Sequence, residues 1–324
     1  MAILVTGGAG YIGSHVVKAL SQAGHEVVVF DNLSTGHAKA VGKAKLIHGD
    51  LADQAKVKEV FATHRFDAVL HFAASIVVPE SVREPLRYYQ NNTLNALLLI
   101  QHCVSHGVKS FIFSSTAAVY GMPSDGICRE EGPKAPINPY GSSKLMSETI
   151  LQDACAVSDM KSVILRYFNV AGADPDGDVG QSFPDATHLI KVACQVATGK
   201  RPGLKVFGTD YATADGTCIR DYIHVSDLAQ AHVSALNYLR ECGSNKILYC
   251  GYGHGYSVNE VVERVKKVSG VDFAVEYGPR REGDPASLTA SNKKILSTLK
   301  WTPKHDDLDF IIKTALNWEK NARY

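Results

Sequence analysis

Tyr140 and Lys144 stand one helical turn apart in P-Y-G-S-S-K, and Thr116 closes an apolar run in F-S-S-T. These three residue types suit proton transfer to or from an alcohol. A free phenol titrates near pH 10, so on the order of one in a thousand is ionised at neutral pH. A nearby ammonium and a cationic cofactor ring both favour the phenolate. Tyr140 can then accept a proton from a substrate hydroxyl as a hydride leaves the same carbon, while Thr116 holds that hydroxyl and relays its proton. The Y-x-x-x-K spacing carries little by itself in a chain with 14 tyrosines, and a strand-end threonine often only caps a turn. Position gives the trio its weight. Ligands collect at the carboxyl ends of strands in an open parallel sheet, and Ser114-Ser115-Thr116 ends one such run just before the helix that Tyr140 opens.

A second constellation lies near the start. Gly7, Gly10 and Gly13 form G-x-x-G-x-x-G between a buried-looking run, Ala2–Val5, and a helical pattern over Tyr11–Ala23. Glycines permit the tight turn and let a pyrophosphate approach the helix N-terminus, whose free N–H groups favour anions. Asp31 ends the next apolar run, close to the offset of about 20 residues at which an acid accepts hydrogen bonds from an adenosine ribose. An acid there repels a 2′-phosphate, so NAD is preferred over NADP. The plainer reading of Asp31-Asn32 is a strand-end turn.

The elements that must hold these residues follow from periodicity. Strand-like runs at Glu26–Phe30, Lys45–His48, Asp67–Phe72, Lys109–Ser115 and Ser162–Tyr167 alternate with helical patterns at Val57–His64, about Glu80–Ser105 and Pro139–Ala156. Buried strands flanked by helices mean parallel pairing, hence an α/β fold with a doubly wound (Rossmann) sheet. The texture changes after Asn169. Ala171–Asp185 is rich in Gly, Asp and Pro and reads as loop, followed by strands at Leu204–Phe207 and Val271–Glu276 and helices at Ser226–Arg240, Ser257–Val268 and Asp306–Lys320. Residues 1–168 are therefore expected to form the NAD-binding domain and 169–324 a smaller α/β substrate domain, with the segment from about 221 to 251 able to rejoin the first.

Bulk properties exclude several classes. A formal net charge of +1 offers no field for nucleic acid or an anionic membrane. Seven irregularly spaced cysteines without C-x-x-C argue against both a disulfide framework and a structural zinc site, so no metal is expected. No basic leader pattern precedes the first apolar run, and no apolar stretch is long enough to span a bilayer. The expected setting is a reducing cytoplasm.

The motifs T-G-G-A-G-Y-I-G-S-H, D-N-L, H-F-A-A, F-S-S-T-A-A-V-Y-G, P-Y-G-S-S-K, R-Y-F-N, R-D-Y-I-H-V and R-R-E-G-D follow one another from residue 6 to residue 284. In that order they resemble the extended short-chain dehydrogenase/reductase family and, within it, the UDP-glucose 4-epimerases. The resemblance implies an isomerase acting on UDP-hexoses with NAD as cofactor. It implies cofactor contacts at Tyr11, Ile12, Asp31, Asn32, Asp50, Leu51, Phe72, Ala73, Asn91 and Tyr167, besides the glycines, Thr116, Tyr140 and Lys144. It implies UDP-sugar contacts at Asn169, Leu189, Phe207, Arg220, Tyr222, Arg281 and Asp284, and a homodimer through paired helices. Guanidinium forks at Arg220 and Arg281 suit a pyrophosphate; surface pairing with Asp221 or Glu282 is the plainer role.

Two positions depart from the family pattern. Ile76 stands where members often carry a lysine, which removes one charged cofactor contact. Leu288 stands where some members carry tyrosine, leaving room around the sugar C2 substituent and suggesting partial acceptance of N-acetylated hexosamines. A UDP-pentose 4-epimerase and a sugar-nucleotide dehydratase remain the alternatives on this fold. Dehydratases place acidic side chains directly after the strand-end Ser/Thr, and here Ala117 and Ala118 cannot transfer protons. A net dehydrogenase would consume NAD stoichiometrically. A non-catalytic NAD-sensing scaffold has no need to keep Thr116, Tyr140 and Lys144 together.

Overall fold

The computed structural model describes residues 2–123, 125–183, 186–281 and 284–324. Seven strands, β1 (Ala2–Thr6), β2 (Glu26–Asp31), β3 (Lys45–His48), β4 (Phe66–His71), β5 (Ser110–Ser114), β6 (Lys161–Arg166) and β7 (Lys246–Tyr249), form one parallel sheet in the order β7-β6-β5-β4-β1-β2-β3. The two-residue period of a strand sends alternate side chains to opposite faces. Ile3, Val5, Val27, Val29 and Leu70 join one core, whereas Leu4, Val28, Phe30 and Val69 join another. Because both faces are covered, β1 and β5 are buried along their whole length.

Helices α1 (Tyr11–Gln22) and α5 (Val225–Cys242) supply Val16, Leu20, Leu228 and Leu236 to the first core. Helices α2 (Gln54–Thr63), α3 (Asn95–Ser105) and α4 (Pro139–Ala156) supply Val57, Leu99 and Leu151 to the second. The chain thus returns to the sheet after residue 220, as α5 and β7. It also crosses the other way: Ile127–Cys128 joins a four-stranded sheet with Ser287–Ala290, Ile219–Arg220 and Tyr256–Ser257. Two further parallel pairs, Tyr222–His224 with Asn169–Ala171 and Val275–Gly278 with Leu204–Phe207, complete the second half.

Three local expectations change. The single helix expected over about 80–105 is broken into Val78–Arg83, Pro85–Tyr88, a π-turn at Tyr89–Leu94 and α3. Pro85 lacks the N–H that would continue the first segment. The strand expected over 271–276 lies at Val275–Gly278, where it pairs with Leu204–Phe207. A helix at Leu189–Ala197 occupies a stretch for which the sequence suggested nothing regular; its buried Ile190, Ala193 and Cys194 carry the i, i+3, i+4 spacing. Pro184 and Asp185 of the expected loop over 171–185 lie outside the described residues.

Candidate active site

The glycine turn is built by exclusion. A Cβ on Gly7, which has φ +73°, would fall 2.5 Å from the Ala73 nitrogen, and one on Gly13 would fall 2.1 Å from the Gly7 carbonyl oxygen. Neither position admits a side chain. Gly10 differs, because a Cβ there would meet only the Gly7 oxygen, at 3.3 Å. Its bare face lines a cavity instead. Gly10 is also the N-cap of α1 and offers no side-chain cap, so the first-turn N–H groups at Tyr11 and Ile12 remain for a ligand. The Asp31 carboxylate accepts from Ala9 N–H at 2.9 Å and from Leu33 N–H at 2.8 Å, fixing it at the lip of this turn. A negatively charged pyrophosphate fits the open N-terminus, and a ribose diol fits the remaining lone pairs of Asp31. The residues present therefore fit a dinucleotide.

The opposite wall of the cofactor region rests on the π-turn. Asn92 accepts from Ser75 N–H at 2.8 Å and donates to the Ser75 carbonyl at 2.9 Å and to Ser143 Oγ at 3.1 Å. Asn91 donates to Ser75 Oγ at 2.9 Å. The bulged turn thereby pins segment 73–77, including the exposed Ile76, against α4.

The reactive trio converges where β5 ends and α4 begins. Asn138 caps α4 by accepting from Gly141 N–H at 2.9 Å, and Pro139 fills its first position. That start sets Tyr140 on the first turn, edge-on to Tyr88 at 6.5 Å between ring centroids. Burial pushes the Tyr140 phenol up, and a hydrogen bond with Thr116 opposes the rise. Lys144 is buried, donates to the Ser114 carbonyl at 2.9 Å and lies 4.9 Å from the Phe113 ring centroid. Burial brings its ammonium down to about 8, with the Glu148 carboxylate acting the other way. Desolvation therefore opposes the ionisation that the ammonium and a cationic cofactor ring together favour.

Beneath the trio lies a network that sequence reasoning missed. Glu148, one turn after Lys144, is completely buried against Arg166 and also accepts a hydrogen bond from Ser115 Oγ. Arg166 further donates to the Tyr120 hydroxyl at 2.7 Å. The signal was present as an i, i+4 Lys-x-x-x-Glu pair on a helix face already marked as functional. Tyr167, next in the chain, hydrogen-bonds Ser114.

The second half contributes cations and shape. Register sets Arg220 opposite Leu288 and Asn169 opposite Tyr222. Asn169 donates to the Asp221 carbonyl at 3.1 Å. Arg220 meets Asp284 at 3.3 Å, and the Arg281 guanidinium stacks 4.0 Å from the Phe207 ring centroid. Asp221 turns inward, accepting from Tyr252 and Gly253 N–H groups, and burial raises its carboxyl to about 7. It is therefore not the partner of Arg220 that adjacency suggests. Glu282 and Gly283 of the R-R-E-G-D motif lie outside the described residues.

All of the sequence-derived site residues line one cavity of about 1750 Å³. That exceeds the roughly 300–1,000 Å³ of a single drug-sized ligand and leaves room for two. The same cavity adds Ser34, Thr35, His37 and Tyr324, which the sequence did not single out.

The chain is similar to known proteins over nearly its whole length. Residues 3–251 match the family model described as the NAD dependent epimerase/dehydratase family. A UDP-glucose 4-epimerase of Azospirillum brasilense is 56% identical over 98% of this chain and 92% of its own length. The solved UDP-Glc/GlcNAc 4-epimerase of Campylobacter jejuni is 53% identical, with a TM-score of 0.87 over 98% of this chain and 99% of that one. The UDP-glucose 4-epimerase of Brucella ovis, solved in complex with NAD, superposes with a TM-score of 0.95 at 44% identity over 98% of this chain and 97% of its own.

Proposed function

The chain belongs to the NAD dependent epimerase/dehydratase family, and from that premise we propose how its cavity works. The protein is an isomerase that reversibly inverts C4 of UDP-hexoses through a 4-keto intermediate, with NAD as its cofactor. The observation that carries the residue assignment is a single cavity walled by the glycine turn, by Thr116 and Tyr140, and by Arg220 and Arg281.

Bound NAD supplies the acceptor, and later the donor, for the C4 hydrogen. Gly7, Gly10, Gly13, Tyr11 and Ile12 hold its pyrophosphate, Asp31 and Asn32 its adenosine ribose, and Asp50, Leu51, Phe72, Ala73, Asn91 and Tyr167 its remaining surface. Tyr140, as the phenolate that the Lys144 ammonium and a bound cationic nicotinamide would favour, takes the C4 hydroxyl proton and becomes the phenol, while Thr116 orients that hydroxyl. Arg220 and Arg281 anchor the UDP diphosphate, while Asn169, Leu189, Phe207, Tyr222, Asp284 and Leu288 enclose the nucleotide and sugar. A tight anchor at UDP with a loosely held sugar lets the keto intermediate present its other face. The smaller Leu288 admits N-acetylated hexosamines in part, a reading supported by the UDP-Glc/GlcNAc enzyme at 53% identity. Residues 1–168 together with 221–251 act as the NAD-binding part and the rest as the UDP-sugar part.

A homodimer is proposed through α3 and α4. Leu94, Val104, Met146 and Val157, on or just beyond these helices, are exposed although apolar, as a helix-pair interface requires. No described helix is long and apolar enough to cross a membrane. A cytoplasmic setting is proposed from the free state of six cysteines. Incubation with UDP-galactose and no added NAD, followed by NMR of the anomeric protons, tests the reading. Conversion to UDP-glucose up to a constant ratio supports it, and a static spectrum even with NAD added overturns it.

A further inference from the structure

Tyr324 lines the same cavity as Asp31, Asn32 and His37. The Tyr324 ring stacks on the His37 imidazole at 4.7 Å between centroids and 16° between planes, and meets Trp318 edge-on at 5.0 Å. Its hydroxyl accepts from Gly180 N–H at 3.4 Å. Arg323 pairs with Asp178 at 2.7 Å, and Asp178 in turn meets Lys18 of α1 at 2.9 Å. The end of the last helix is therefore tied twice to the first βαβ unit, once at α1 and once at the loop after β2.

That loop is the one that carries Asp31 and Asn32 onward. His37 donates its N–H to the Ala9 carbonyl at 3.0 Å, and Ala9 donates to Asp31 at 2.9 Å. Gly36 packs so closely on Ala9 that a Cβ would fall within 2.7 Å of its carbonyl carbon. Leu33 holds φ +58°, a left-handed conformation that a residue with a Cβ keeps only when its surroundings impose it. The loop is thus stitched to the glycine turn on one side and braced by an aromatic ring on the other. Both His37 and Tyr324 face the cavity beside Asp31, Ser34 and Thr35.

We propose that Tyr324 is a positioning residue for the coenzyme: stacked on His37, it latches the 32–37 loop over the adenosine end of the dinucleotide and slows its release. The inference rests on the coenzyme site assigned above. Release of the loop lets Asp31 lose its fixed geometry, so the ribose is held less firmly. An aromatic stack of this kind contributes enough to change NAD release by about 2- to 12-fold.

The test measures NAD dissociation from the loaded protein, by chase and separation, for wild type, Tyr324→Ala, Tyr324→Phe, His37→Ala and the Tyr324→Ala/His37→Ala double variant. His37 is exposed and its ring accepts a 3.3 Å hydrogen bond from Lys39 N–H, so its replacement tests the stack at the cost of that one local cap. The expected result is release several-fold faster for both alanine variants and a higher half-saturating NAD concentration, with the rate at saturating NAD retained. Phenylalanine behaves as tyrosine, and the double variant is no faster than either single one. Wild-type release from Tyr324→Ala, equal loss with Phe and Ala, or full additivity in the double variant overturns the latch. A wild-type protein that retains no NAD at all would instead overturn the coenzyme site itself.

Discussion

Arg166 clasps Glu148 through two parallel hydrogen bonds, Nε to Oε1 at 2.9 Å and Nη2 to Oε2 at 2.5 Å, with both side chains wholly withdrawn from solvent. The pair lies directly under the end of β5, where Ser115 also reaches Glu148. Cutting such a pair on one side leaves a buried charge uncompensated. Glu148→Ala should cost about 3–5 kcal/mol in denaturant unfolding, whereas replacing both partners by leucine should cost far less. A single substitution that costs under about 1 kcal/mol would show that the pair does not hold the catalytic floor.

The proton-transfer roles separate by magnitude. Tyr140→Phe removes the base and should lower kcat by about 10²–10⁴ while the purified protein still carries NAD. Thr116→Val removes only a hydrogen bond, worth about 0.5–1.5 kcal/mol, and should cost roughly tenfold or less. Steady-state rates with the absorbance ratio of the purified holoprotein check both. Equal losses for the two variants would contradict the division of labour.

Lys144 is expected to make activity depend on pH. Its ammonium is brought down to about 8 by burial, against about 10.4 in an unfolded chain. Below about pH 8 both states are charged. Between about 8 and 10.4 the unfolded state binds the extra proton, so stability rises with pH there. Activity should move the opposite way, falling as the ammonium is lost above about pH 8. Lys144→Met should abolish that alkaline limb along with most of the rate. Parallel kcat and unfolding profiles from pH 6 to 10 read the two signs, and a falling stability across the same window would contradict the assignment.

The sheet and the cofactor turn were legible because their physics is local. Alternating apolar runs, the glycine spacing and the acid at residue 31 each act within one βαβ unit. The Tyr140–Lys144 pair gained meaning only from its place after β5. Glu148 with Arg166, His37 with Tyr324, and Arg220 with Leu288 depend on residues brought together across 18 to 287 positions, which periodicity does not encode. The break at Pro85 and the π-turn after it were obscured for another reason: apolar spacing continues through both, so the pattern looks like one helix.

Leu288 is proposed to set sugar selectivity. Leu288, paired in register with Arg220, borders the same cavity. Leu288→Tyr should lower turnover of UDP-N-acetylglucosamine relative to UDP-glucose by about 10-fold or more, in line with the 1–3 kcal/mol that a steric change in a pocket commands. An unchanged ratio of the two turnover numbers would remove Leu288 from the account.

In the proposed reaction the hydrogen at C4 leaves and returns within the site, while only the hydroxyl proton passes through Tyr140. UDP-galactose deuterated at C4, incubated with the protein in ordinary water, tests it most directly. The expected product is UDP-glucose that keeps its deuterium at C4. Loss of the label to solvent, with ordinary hydrogen at C4 of the product, would contradict it.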